Sequence, residues 1–241
     1  MRKYRFSVDG IPVTICSALS GYERSELIEG LAEDELAVVL LPDLHADFRV
    51  EMFDKRNEEP KEPRLCFAAL FCFFAKVCSY PDTVLEIAYK DGVVPMDISD
   101  ENEYKFSVKV GKRKDSGKGK IKFPDGIELT YHIIEGKTFA LSVVCEDSDL
   151  FDKTALFRIS ELRKEYDARV ALAISYSDSL RVKQEGRALP CEVIEAALEV
   201  LLLEGVSLKD GRHTAFISGR EYVFSILGKD LIFYPHVKYL S

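Results

Sequence analysis

Two cysteines stand in matched positions in this 241-residue chain. Cys66 opens the apolar run 65–78 (LCFAALFCFFAKVC), and Cys191 lies at the head of the run 189–205 (LPCEVIEAALEVLLLEG). They are 125 positions apart, about half the chain. Each run reads as a buried helix that begins at its thiol. A free thiol titrates near pH 8.5, roughly, and a helix N-terminus lowers that value because unpaired N–H groups and aligned peptide dipoles favour the thiolate. The same N–H groups can hold a carboxylate. The chemistry suggested is acid–base work by two thiols brought towards one cleft.

Other residue types carry weaker signals. Cys16, Cys72, Cys78 and Cys145 read as packing, since Cys is among the most commonly buried residues. Spacing of six puts Cys66, Cys72 and Cys78 on different faces of a helix, which argues against a metal site. His45, His132, His213 and His236 follow no ligand spacing. No Gly-rich phosphate loop, nucleophile elbow or metalloprotease helix occurs.

The elements that position the thiols follow from the pattern. Before Cys66 come a hairpin over 5–15 with a turn at Asp9-Gly10, a short amphipathic helix over 24–31, an apolar strand over 36–41 and a strand over 48–53. After it, Pro81 ends the helix and a hairpin over 84–98 turns at Asp91-Gly92. Strands are expected over 105–110, 120–123, 127–134 and 139–145, and a short helix over 154–163. Strands over 169–176 and 180–182 then lead to Cys191. Gly205 is placed to cap that helix, and a meander over 214–234 follows. Both halves thus run strands, Cys-helix, hairpin. This predicts an α+β fold of two similar halves, each a mostly antiparallel sheet wrapped around a central helix. The acidic stretch 147–152 marks the boundary, giving an N-terminal half of 1–148 and a C-terminal half of 149–241, with the last strands free to cross back.

Bulk properties limit the function classes. Apolar residues make up 47% and charged residues 31%, the balance of a soluble globular protein. The net charge of −8 argues against a general nucleic-acid binder, which needs a basic face. The one basic run, 111–120 (GKRKDSGKGK), reads as a flexible solvated loop. The longest apolar run, 65–78, is 14 residues and contains Lys76, too short to span a bilayer. No signal-peptide pattern is visible, and six cysteines in this length make no disulfide framework, so a cytoplasmic protein with reduced thiols is expected.

At the two Cys-helices the sequence resembles the diaminopimelate epimerase family of cofactor-independent amino-acid racemases and epimerases. Residues 65–72 (LCFAALFC) align with that family's Cys-Gly-Asn-Gly-x-Arg-Cys motif, keeping Cys66 and Cys72. Residues 186–194 (GRALPCEVI) align with its Gly-Glu-Thr-Leu-Ala-Cys-Gly-Thr-Gly motif, keeping Gly186, Leu189 and Cys191. The resemblance implies an isomerase without cofactor or metal. Cys66 and Cys191 would be the facing acid/base pair. Phe67, Ala68, Ala69, Glu192 and Val193 would stand where backbone N–H groups hold a small carboxylate-bearing substrate. In this chain Phe67-Ala68-Ala69 replaces Gly-Asn-Gly, and Glu192-Val193-Ile194 replaces Gly-Thr-Gly. Glycine lets backbone approach an anion closely, and phenylalanine fills that space. Glu192 brings its own negative charge to the helix start, where the dipole favours it.

Two readings therefore stand. One is a divergent two-cysteine isomerase acting on a small molecule. The other is a catalytically inactive epimerase-fold protein, a pseudoenzyme serving as a binding or interaction module. Neither involves nucleic acid or a membrane, and a homodimer is left open.

Overall fold

In the computed structural model, the residues described are 2–18, 21–80, 83–90, 92–98, 104–110, 115–122, 128–134, 138–142, 159–161, 163–177 and 179–240. The chain divides into two compact units, Met1–Lys105 with Pro235–Ser241, and Phe106–Tyr234. The expected boundary at 148/149, and most of the helix expected over 154–163, lie outside the described residues.

In the first unit β1 (Arg2–Val8) and β2 (Ile11–Ser17) form a hairpin through Asp9-Gly10, both with positive φ. Helix α1 (Arg24–Glu29) connects β2 to β3 (Leu36–Leu41), and β4 (Phe48–Asp54) returns beside β3. Helix α2 (Arg64–Cys72) then carries the chain over to the hairpin β5 (Thr83–Tyr89) and β6 (Gly92–Ile98). The sheet order is β16-β1-β2-β3-β4-β5-β6, where β16 (Val237–Tyr239) pairs with β1. The two parallel pairs, β2·β3 and β4·β5, are those bridged by a helix, as a parallel crossover requires.

Strand β3 is apolar throughout because both of its faces are covered. Ala37 and Val39 join Cys16, Phe53, Leu27 and Leu31 in a core beneath α1. Val38 and Leu40 alternate to the opposite face, against which α2 packs along β1, β2, β3 and β16. Every residue of α2 from Leu65 to Cys72 is buried, and a π-helical turn, Phe73–Val77, extends it with Phe73 and Phe74 also buried. The edge strand β6 carries Pro95, a residue that cannot donate to a further strand.

The second unit holds one sheet in the order β7-β15-β14-β13-β12-β11-β10-β9-β8. Its strands are β7 (Phe106–Lys109), β8 (Asp115–Lys122), β9 (Glu128–Ile134), β10 (Thr138–Ser142), β11 (Val170–Tyr176) and β12 (Leu180–Gly186), followed by β13 (Gly211–Ile217), β14 (Arg220–Leu227) and β15 (Asp230–Phe233). Helix α3 (Pro190–Leu203) links β12 to its parallel neighbour β13 and packs on β10 to β13. The series of pairings β9 to β14, alternately antiparallel and parallel with a helix before the last two strands, matches that of β1 to β6. Helix α3 closes with Gly205 at φ +78 while the Val206 and Gly205 N–H groups donate to the Leu201 and Leu202 carbonyls, a Schellman cap.

The basic run 111–120 departs from the loop expected of it. Asp115–Lys122 is a strand, with a bulge between Asp115 and Gly117 where it pairs with β9. Gly119 makes the pairing feasible, since a Cβ there would come within 2.5 Å of the Tyr131 ring. The rest of the run, 111–114, lies outside the described residues.

Candidate functional site

The N-terminus of α2 is built from Glu62, Pro63 and Arg64. Pro63 has helical φ and ψ and supplies no N–H of its own. The Phe67 N–H donates to the Pro63 carbonyl at 3.1 Å and the Leu65 N–H to the Glu62 carbonyl at 3.3 Å. The Glu62 carboxylate folds back to accept from the Arg64 N–H at 3.3 Å and forms a fork with the Arg64 guanidinium. Glu62 is itself buried, so this pair lies against the helix start and not in solvent.

Cys66 follows in the first turn and is completely buried. Burial pushes its thiol far up from the ordinary value, and the Glu62 charge pushes it further. Burial and the Glu62 charge thus oppose the activation expected from the helix start. The dipole favours a thiolate only where its charge is solvated or paired, and Cys66 has an apolar wall and a neighbouring anion. Phe67, Ala68 and Ala69 are buried as well. The Phe67 ring meets the Tyr89 ring edge-on at 5.5 Å, and the Phe71 ring meets Tyr104 at 5.8 Å. Burial raises the Tyr104 hydroxyl, with the Arg64 charge opposing and Glu62 and Cys66 adding to the rise. Burial also raises Tyr89, whose hydroxyl donates to Glu59. The first helix start is thus surrounded by aromatic rings and one internal ion pair.

The second helix start uses the same device with different residues. Leu189 is extended and Pro190 takes the first helical position. The Glu192 carboxylate accepts from the Leu189 N–H at 2.9 Å and from the Arg169 guanidinium at 3.0 Å. The Val193 N–H donates to the Leu189 carbonyl at 3.0 Å. Cys191 and Val193 are buried. The approach to the helix is held by Gln184, whose amide donates to the Gly186 and Ala188 carbonyls at 3.0 and 3.1 Å. Gly186 has φ +97, and a Cβ there would lie 2.4 Å from the Arg169 carbonyl oxygen.

The seven residues singled out by sequence therefore fall into two sets, Cys66 to Ala69 in the first unit and Cys191 to Val193 in the second. Glu62, Arg64, Tyr104 and Arg169 also belong to these helix starts and were missed. The signal for the first pair was available as a Glu two residues before an Arg at a helix start. Arg169 lies too far along the chain to be assigned by spacing. None of the described cysteines is in a disulfide, and no group of three metal-ligating side chains occurs among the described residues. No described helix is long and apolar enough to cross a membrane.

No protein-family model matches the sequence, and no curated protein matches it. Solved structures do match. A phenazine biosynthesis PhzC/PhzF protein from Clostridium difficile aligns over 99% of this chain and 96% of its own, with a TM-score of 0.62 at 10% identity. A PhzF-family phenazine biosynthesis protein from Enterococcus faecalis aligns over 100% and 98%, with a TM-score of 0.60 at 10% identity. One from Bacillus anthracis aligns over the full length of both, with a TM-score of 0.52 at 11% identity. The likeness shows the fold alone: an α+β arrangement of two halves, shared with these solved structures.

Proposed function

We propose that this chain has kept the epimerase-like architecture and given up the two-thiol reaction, serving as a binding module. The observation that carries this is the matched pair of internal carboxylates. Glu62 and Glu192 each bond an N–H at the start of a Cys-helix, and each is neutralised by an arginine. A helix start that already holds an anion has little left to offer a substrate carboxylate. The high pKa of Cys66 supports the same reading, because a thiol far above neutrality is a poor general base.

A second reading is favoured by one observation, the presence of a cysteine in the first turn of the central helix of each unit. In it the chain is a cofactor-independent isomerase, with Cys66 and Cys191 exchanging the proton on a small carboxylate-bearing substrate. Incubation in D2O with amino acids and small hydroxy acids, followed by proton NMR, separates the two. The binding-module reading expects no exchange at any α-carbon. Exchange that disappears in both Cys66→Ala and Cys191→Ala would establish the isomerase. Opening one cap is a companion test. Glu192→Gly should create a sulfate or carboxylate site that the parent protein lacks, and calorimetry with sulfate reads it directly.

A further inference from the structure

The second unit contains an apolar cavity of about 270 Å³. It lies at the C-terminal end of α3. Leu198 and Leu202 come from that helix, Val206 from its cap, Ile226 from β14 and Val110 from the residue after β7. The helix explains why it is there. Residues 201–203 are three consecutive leucines, and a helix with one buried face can cover only part of such a run. Leu201 is buried, while Leu202 is 44% exposed and Leu203 40% exposed.

The polar residues that line this cavity are few. Ser207 and Lys229 line it, Lys229 from an exposed turn, and neither side chain has a hydrogen bond or ion pair with a described residue. The neighbouring acids are engaged elsewhere. Asp210 accepts from the Gly228 N–H at 2.9 Å, and Asp230 pairs with Lys109 at 3.3 Å. The Leu201 and Leu202 carbonyls are closed by the Schellman cap, so the end of the helix presents no acceptor from these two residues. An apolar chamber lined by a serine and by a lysine with no partner among the described residues matches one chemical class: a small amphipathic monoanion, with a hydrocarbon body in the cavity and a carboxylate paired with Lys229.

We infer that the cavity between the C-terminal turn of α3 and the β14–β15 turn is a binding site for medium-chain monocarboxylates. This site lies within the second unit, and the inference is independent of the state of the two thiols. Titration calorimetry of the full chain with octanoate, octanol and octylammonium tests it. Octanoate should bind best, with octanol about threefold weaker, the size of one partly exposed charge pair. Lys229→Glu sits on an exposed turn and should fold normally. It should weaken octanoate about tenfold and invert the preference towards octylammonium. Leu198→Trp, which fills the chamber, should remove binding of all three. Equal affinity for octanoate and octanol, or an unchanged preference in Lys229→Glu, would overturn the inference. So would a dimer that Leu202→Asp converts to monomer, since the occupant would then be a second copy of the chain.

Discussion

At the scale of single residues, the chain separates the identity of a reactive group from its reactivity. Cys66 has a residue type suited to proton transfer and a setting that suppresses it: full burial, aromatic neighbours and the Glu62 charge. At pH 7.5 an alkylating reagent should modify Cys78, which is exposed, and leave Cys66 intact in the folded protein, as peptide mapping would show. Cys66→Ser should cost about 1–3 kcal/mol of stability, because a buried hydroxyl demands a partner that a thiol does not. Asp9 offers a second residue-scale expectation. Its Oδ1 accepts from the His236 N–H at 2.8 Å, while its Oδ2 is buried without a partner. Burial outweighs that bond and the His236 charge and lifts the carboxyl from 3.8 to about 6. A folded pKa above the unfolded one means the stabilising form is protonated. The contribution is complete below about pH 4 and disappears as pH rises through 6. The unfolding free energy of the parent protein relative to Asp9→Asn, read from denaturant titrations, should therefore fall between pH 4 and 7, by on the order of 2 kcal/mol.

At the scale of elements, much was legible in sequence. Alternating hydrophobicity located most strands, and the apolar runs behind Cys66 and Cys191 gave both central helices. Glycine at 205 marked the helix end that the Schellman cap realises. Two things were not legible. The basic run looked like a loop because lysine and glycine disfavour strands, yet pairing with β9 and the fit of Tyr131 over Gly119 outweigh that local preference. The state of the helix starts also escaped, because it depends on side chains such as Arg169 meeting Glu192 across the fold. The helix approach gives a sharp test. Gly186→Ala combines a positive φ with a near-contact to the Arg169 carbonyl, so it should destabilise by at least about 2 kcal/mol. Glu192→Ala loses a cap and an ion pair and should cost about 0.5–2 kcal/mol, read from chemical denaturation.

At the scale of the molecule, the first unit is assembled from two distant parts of the sequence, with β16 completing a sheet begun by β1. The Leu240 N–H donates to the Arg5 carbonyl at 2.8 Å, and the Asp9 and His236 backbones are joined at 2.9 Å. Deleting Pro235–Ser241 should unprotect β1 and β2 in hydrogen exchange while α3 stays protected, since the second unit is continuous in sequence.

The same discontinuity orders events on the ribosome. Synthesis delivers β1 before the second unit, and the strand that covers its open edge emerges only after all of residues 106–234. The second unit has every segment it needs while the first still presents an unpaired strand, an exposure that invites pairing with other nascent chains. A chaperone that captures extended segments would find its window on this protein there, at β1 and before β16 emerges.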